Sequence, residues 1–362
     1  MHRRQFLKAG ASAAISSVLG ASPAHLLAAQ PKRILVLGGT LFAGPALVEA
    51  AINGGHSVTL FNRGVTNPHL FPYVEKLRGF RSADSAEENF ASLGSRTWDA
   101  VVDVWPYDPN VVASAAKLLV PRAAHYLFIS SIGAYDSKGY ATPGLTEEAA
   151  LTPLTSISEY KRGKAESERR LQAIAASKLT IVRPGPIKGA RDSATDLYTW
   201  LMRCRAGGKH IGPGDGNEYV QMVDVKDVAR FLVAAIEQQI LGTYNLTGRP
   251  FAFSEFLQAC NKTTRSDADF VWIPRDFLKS HGVPLTEGNF PLWRPDPSNH
   301  AIFQISSQKA FKAGWQIRPF QETVMDCLSF FNSMDPTTFL WQDPLARAQE
   351  LEVITAWETR AG

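Results

Sequence analysis

At 362 residues, with 45% hydrophobic and 20% charged side chains, the chain has room for two domains or one large α/β unit, and its composition excludes a disordered, collagen-like or fibrous protein. Lys and Arg number 38 against 34 Asp and Glu, a formal +4. Arg3, Arg4 and Lys8 lie in an acid-free leader, so the rest carries +1 and shows no nucleic-acid signature.

The leader, residues 1–29, opens with Arg3-Arg4-Gln5-Phe6-Leu7-Lys8 and continues as an uncharged run rich in Ala, Ser and Gly. It resembles a twin-arginine signal, which implies the Tat export machinery as a partner and a periplasmic or exported location. Ser16, Ser17, Gly20 and Pro23 make it a poor spanning helix. Ala28-Ala29 offers small residues for cleavage, but Leu26 or Leu27 falls at the third position back; an uncleaved leader would anchor the chain to the membrane.

Next, Ile34 to Leu37 is a short apolar strand, Gly38-Gly39 a turn, and Phe42 to Ile52 a helix. His56 to Phe61, Ala100 to Val104 and His125 to Ser130 read as strands with helical patterns between them. Leu179 to Val182 and segments around Met222-Val223 and Thr243 to Leu246 follow. This alternation predicts an α/β chain with a parallel sheet covered on both faces. From about residue 250 aromatics and prolines such as Trp272, Pro274, Phe290 and Pro291 mark a smaller C-terminal lobe. The expected organisation is a leader over 1–29 and a nucleotide-binding domain over 30–248, with 189–217 partly in the lobe. A substrate-binding lobe spans 249–335 and a helical tail 336–362, the tail serving packing or a homodimer contact. Cys204, Cys260 and Cys327 lack metal-ligand spacing, allow at most one disulfide, and read as buried thiols, with no metal expected.

Gly38-Gly39-Thr40-Leu41-Phe42-Ala43-Gly44 sits after the first strand and opens the first helix. Glycine there lets the backbone turn tightly and approach a pyrophosphate, which the helix N-terminus favours. About twenty residues on, Asn62 stands where an NAD-selective fold carries an acid for the ribose 2′-hydroxyl, and Arg63 follows. A neutral amide beside a cation suits a 2′-phosphate, favouring NADP over NAD; a solvated loop charge is the plainer reading of Arg63.

Ser131 follows a strand end, and Tyr160 and Lys164 open a helix that runs to Ala176. Residues four apart share a helix face. An ammonium beside a phenol favours phenolate, which makes Tyr160 a candidate general acid/base and Ser131 a candidate to orient the same substrate oxygen. The plainer reading is a helix-surface pair.

Together these residues resemble the extended and atypical short-chain dehydrogenase/reductase superfamily, in its NAD-dependent epimerase/dehydratase branch, over about residues 32–335. The likeness includes Arg183-Pro184-Gly185-Pro186 and Val225-Lys226-Asp227-Val228-Ala229. It implies a Rossmann-type doubly wound sheet, hydride transfer with bound NAD(P), and a lobe that closes over substrate. Ser131, Tyr160 and Lys164 would be the triad, Asp84 the adenine contact, and Pro184 and Gly185 the cofactor's far wall. Three departures stand out. Leu41 replaces the middle glycine, as in atypical members that include chloroplast stem-loop-binding proteins. Val104-Trp105-Pro106-Tyr107 is bulky beside the nicotinamide, so Trp105 and Tyr107 become substrate candidates. Val220 replaces an arginine that clamps nucleotide-sugar diphosphates, which argues against such substrates.

An exported protein meets no nicotinamide pool, so the cofactor is expected to be tightly bound and regenerated in place. The reaction read from this is epimerisation or coupled oxidation and reduction at a hydroxyl of a carbohydrate-like small molecule. An NADPH-consuming, isoflavone-reductase-like enzyme and a non-catalytic Rossmann binding protein are the alternatives. In the lobe, Trp293 and Arg294, near Trp272 and His300, are candidates for a sugar face, with core packing the equal alternative for the tryptophans.

Overall fold

The structure is a computed structural model that describes residues 30–84, 86–104, 108–192, 194–334 and 342–360. The leader with its export motif, Trp105 and Tyr107 lie outside the described residues.

Strand β1 (Arg33–Leu37) buries all four residues of its apolar run. It is followed by α1 (Ala43–Asn53), β2 (Ser57–Asn62), β3 (Glu75–Arg78), α2 (Ala86–Asn89), β4 (Trp98–Asp103), α3 (Pro109–Leu119), β5 (Ala123–Ile129), α4 (Glu159–Ala175) and β6 (Leu179–Pro184). Then come β7 (Ile187–Lys188), α5 (Asp196–Ala206), β8 (Lys209–Pro213), β9 (Tyr219–Val220), β10 (Val223–Asp224), α6 (Val225–Gln238) and β11 (Gly242–Leu246). The remainder holds β12 (Phe251–Ala252), α7 (Phe253–Thr264), β13 (Asp269–Ile273), α8 (Arg275–Ser280), α9 (Gln308–Lys312), α10 (Phe320–Ser333) and α11 (Arg347–Thr359).

Seven strands form one sheet in the order β11-β6-β5-β4-β1-β2-β3, every neighbouring pair parallel. Alternate side chains of β1 explain why its run is continuous rather than alternating. Ile34 and Val36 join Leu47 and Val48 of α1 and Phe231 and Ile236 of α6 on one face. Leu35 and Leu37 join Val112 and Leu119 of α3 and Leu171 of α4 on the other. This is the doubly wound α/β sheet of Rossmann type expected from the sequence. Its order reverses between β1 and β4, and the crevice above their carboxyl ends is where such sheets bind ligands.

A second core joins Trp200 of α5, Ile211 of β8, Phe253 and Phe256 of α7, Val324 of α10, and Val353 and Ile354 of α11. Val220, the residue in place of the diphosphate-clamping arginine, is wholly buried there. The three cysteines lie on α5, α7 and α10 of this core as buried free thiols. Burial pushes Cys204 and Cys327 up to about 12, so thiolate is scarce at neutral pH. Ala310 of α9 and Trp315 return to pack on the first core. Among the described residues no helix is long and apolar enough to cross a membrane.

Candidate active site

After β1 the chain turns through Gly38 and Gly39, with φ of 118° and 92°, a backbone that other residues rarely adopt. A Cβ on Gly38 would lie 2.7 Å from Val104 Cγ2, and one on Gly39 2.6 Å from Leu60 Cδ2. Helix α1 then begins without a side-chain cap or an acid in its first turn, so its positive end is left for an anion. Leu41 keeps an ordinary φ, since the left-handed residue is Phe42 at 44°. The turn therefore forms without a glycine at 41, and the leucine side chain stands 62% exposed at its mouth. This cradle fits the pyrophosphate of a dinucleotide.

Asn62 ends β2 and ties the turn together. Its Nδ2 donates to the Gly38 carbonyl at 3.0 Å, and its Oδ1 accepts from Gly64 N at 2.9 Å and from Arg78 Nη1 at 2.5 Å. Arg78, on the end of β3, thus joins Arg63 beside the position expected for the ribose, and both are exposed. Asn67 donates to the Thr40 carbonyl at 2.9 Å and pins the following loop to the turn. Asp84 lines a groove with Asn110 and Arg170. In the loop after β3, Arg81 reaches the end of β4 and holds the wholly buried Asp103 by two 2.7 Å bonds.

Across the switch point, β5 delivers Ser131 and α4 delivers Tyr160. Ser158 caps α4 by accepting from Lys161 N, which sets Tyr160 in the first turn, 45% exposed. Between Tyr160 and Ser131 lies Gly133, where a Cβ would meet Tyr160 Cε1 at 3.2 Å and Ser131 Oγ at 3.3 Å. Ser131 Oγ accepts from Gly133 N at 3.0 Å, which leaves its hydroxyl hydrogen to be donated. One turn below Tyr160, Lys164 is 3% exposed and its Nζ donates to the Ile129 carbonyl at 2.7 Å. Burial pushes its ammonium down to about 7, against the pull of Asp103 and Glu168.

One turn further, Glu168 takes 3.1 Å and 2.6 Å bonds from Arg183 of β6 and a hydrogen bond from Ser130 Oγ. Arg183 also stacks on Tyr135 at 4.6 Å, and the Tyr135 hydroxyl donates to Asn245 at 2.6 Å. Sequence reading missed Glu168, Arg81, Asp103 and Arg78, and it singled out Arg183 only as part of the Arg183-Pro184-Gly185-Pro186 motif. Of the four missed, only Glu168 carried a signal, its spacing of four from Lys164.

Pro184 ends β6 and Gly185 follows it, its N donating to the Leu246 carbonyl of β11 at 3.1 Å. Trp293 is 3% exposed in the second core, edge-on to Phe290, and its indole donates to Glu218 at 3.3 Å. Arg294 pairs with Glu287 at 2.8 Å. A cavity of about 710 Å³ opens between α1 and α6, but no residue of the turn or of the Ser-Tyr-Lys set lines it.

The sheet order and the turn define a Rossmann-type nucleotide-binding fold. Residues 107–247 match the NAD dependent epimerase/dehydratase family. The chain is 27% identical to the chloroplast stem-loop binding protein of 41 kDa b of Arabidopsis thaliana, over 74% of this chain and 73% of that one. It is 21% identical to the bifunctional pinoresinol-lariciresinol reductase 2 of Linum usitatissimum, over 60% and 66%. The fold is shared with the Thermus thermophilus UDP-glucose 4-epimerase solved with NAD, at a TM-score of 0.56 and 19% identity, covering 83% of this chain and 99% of that one.

Proposed function

We infer that the chain is an enzyme of the extended short-chain dehydrogenase/reductase type, an NAD(P)-dependent epimerase or oxidoreductase. It acts on a hydroxyl of a carbohydrate-like small molecule. The observation that carries this is the convergence of Ser131 and Tyr160 around Gly133, with Lys164 one turn below, beside the switch point of the sheet. The family match over 107–247 supports it.

Gly38, Gly39 and Gly44 with the start of α1 would hold the pyrophosphate, and Lys164, Pro184 and Gly185 the nicotinamide end. When bound, the nicotinamide supplies a hydride acceptor and donor. Ser131 donates its hydrogen bond to the reacting oxygen and orients it. Tyr160, as phenolate, takes the hydroxyl proton and returns it in the reverse step. Lys164, as ammonium, stabilises that phenolate. Arg63 and Arg78 support NADP over NAD, since two guanidiniums at the ends of β2 and β3 suit a 2′-phosphate. The buried Val220 supports a substrate without a nucleotide diphosphate.

The twin-arginine pattern supports export through the Tat machinery and, with it, a cofactor that stays bound and is regenerated in the same turnover. A reductase that draws on an NADPH pool is the second reading, favoured by the likeness to the lariciresinol reductase. Denaturing the purified native protein and weighing any released nucleotide by mass spectrometry separates them. Stoichiometric NADP(H) or NAD(H) is expected; an empty protein that also gains no thermal stability from added NAD(P)H sinks the reading.

A further inference from the structure

Lys164 acts on a phenol only as an ammonium, yet it sits where water cannot solvate it, and burial alone drives such a group neutral. Three consecutive residues at the end of β5 and just past it receive it and its helix. The Phe128 ring lies 4.8 Å from Nζ, the Ile129 carbonyl accepts from Nζ, and the Ser130 hydroxyl donates to Glu168. Glu168, one turn after Lys164 on the same face of α4, is 2% exposed. From the neighbouring strand Asp103, wholly buried, stands in register with Phe128.

Both carboxylates are fixed from behind. Arg81 grips Asp103 at two points, and the Tyr126 hydroxyl donates to it at 2.9 Å. Arg183 grips Glu168. We propose that Asp103 and Glu168 are positioning residues for Lys164, bracketing it from β4 and from its own helix so that it faces Tyr160 as an ammonium. This rests on the Tyr160 and Lys164 chemistry inferred above.

The charged and titratable groups around Lys164 are Asp103 from β4, Arg81 from the loop after β3, Tyr126 from β5, Glu168 and Tyr160 from α4, and Arg183 from β6 behind Glu168. The arginines oppose the charge on Lys164 while holding the carboxylates that favour it. The carboxylates thus act on the lysine and never on the substrate.

The test reads the lysine directly. Full-length protein carrying 13Cε-lysine is titrated by NMR without nucleotide, the Lys164 signal being the one lost in Lys164→Met. Its midpoint is expected near 7, and Asp103→Asn or Glu168→Gln is expected to lower it by about a unit or more. Each of these leaves a buried arginine unpaired and can unfold the chain. The paired variants Arg81→Met/Asp103→Asn and Arg183→Met/Glu168→Gln remove both partners and are expected to shift the midpoint in the same direction. A midpoint that stays or rises in the folded variants overturns the proposal. Because no nucleotide or substrate enters the measurement, failure of the enzyme reading in the mass-spectrometric experiment leaves this outcome separate.

Discussion

Gly44 and Gly39 touch across the turn: a Cβ on Gly44 would lie 2.6 Å from the carbonyl carbon of Gly39 and 2.7 Å from its Cα. Backbone cannot swing aside as a side chain can. Gly44→Ala is therefore expected to cost roughly 1–3 kcal/mol of stability and to abolish nucleotide retention, read by chemical denaturation and by the nucleotide content of purified protein. An alanine variant that still retains nucleotide would show that the turn does not carry the pyrophosphate.

Tyr160 stands half out of the surface, so its hydroxyl can be removed at little structural cost. Tyr160→Phe is expected to change stability by less than about 0.5 kcal/mol while lowering turnover by about 100-fold or more. It should leave nucleotide content unchanged. Turnover equal to that of the wild type would remove Tyr160 from the chemistry.

Arg63 and Arg78 flank Asn62 from two strand ends. Replacing either with Ala is expected to weaken NADPH binding by about 10-fold or more, the value of one charge-assisted contact, and to leave NADH binding nearly unchanged. Titration calorimetry on the nucleotide-free protein distinguishes the two; equal losses for both nucleotides would count against a 2′-phosphate site.

His125 gives the fold an acid limit. Thr180 Oγ1 donates to the Ile240 carbonyl, so it can only accept from His125 Nε2 at 2.7 Å. His125 Nδ1 is then the nitrogen that would take a second proton, and it has no partner among the described residues. Burial accordingly pushes His125 down to about 4 from the usual 6.5. The unfolded chain takes up that proton first, so stability is full above about 6.5 and falls as pH drops toward 4, by about 3 kcal/mol. His125→Gln is expected to flatten this part of the pH-stability curve in urea denaturation. An unchanged slope would assign the acid sensitivity elsewhere.

β1, β4 and β5 are legible in the sequence because both of their faces are covered, which leaves unbroken apolar runs. β3, Glu-Lys-Leu-Arg, is an edge strand with partly exposed polar side chains, and its sequence carries no period-two signal. The parallel pairing of Lys209 to Pro213 with Asp269 to Ile273 joins segments some sixty residues apart, beyond any local pattern. In the site, Ser131, Tyr160 and Lys164 were legible from spacing and chain order. Arg81 with Asp103 was not, because an ion pair across 22 residues leaves no periodicity.

The docking of α11 bears on what closes the second core. Glu350 accepts from the backbone amide of Ile211 at 2.9 Å, 139 residues earlier in the chain, and its carboxylate is almost fully buried there. Without that glutamate a peptide hydrogen in the second core lacks its acceptor, and the surface that Val353 and Ile354 cover lies open. The segment that closes this core thus reaches back across more than a hundred residues to the strand it seals. A chain cut before α11 would leave that aromatic interior unsealed and the Ile211 amide without its acceptor.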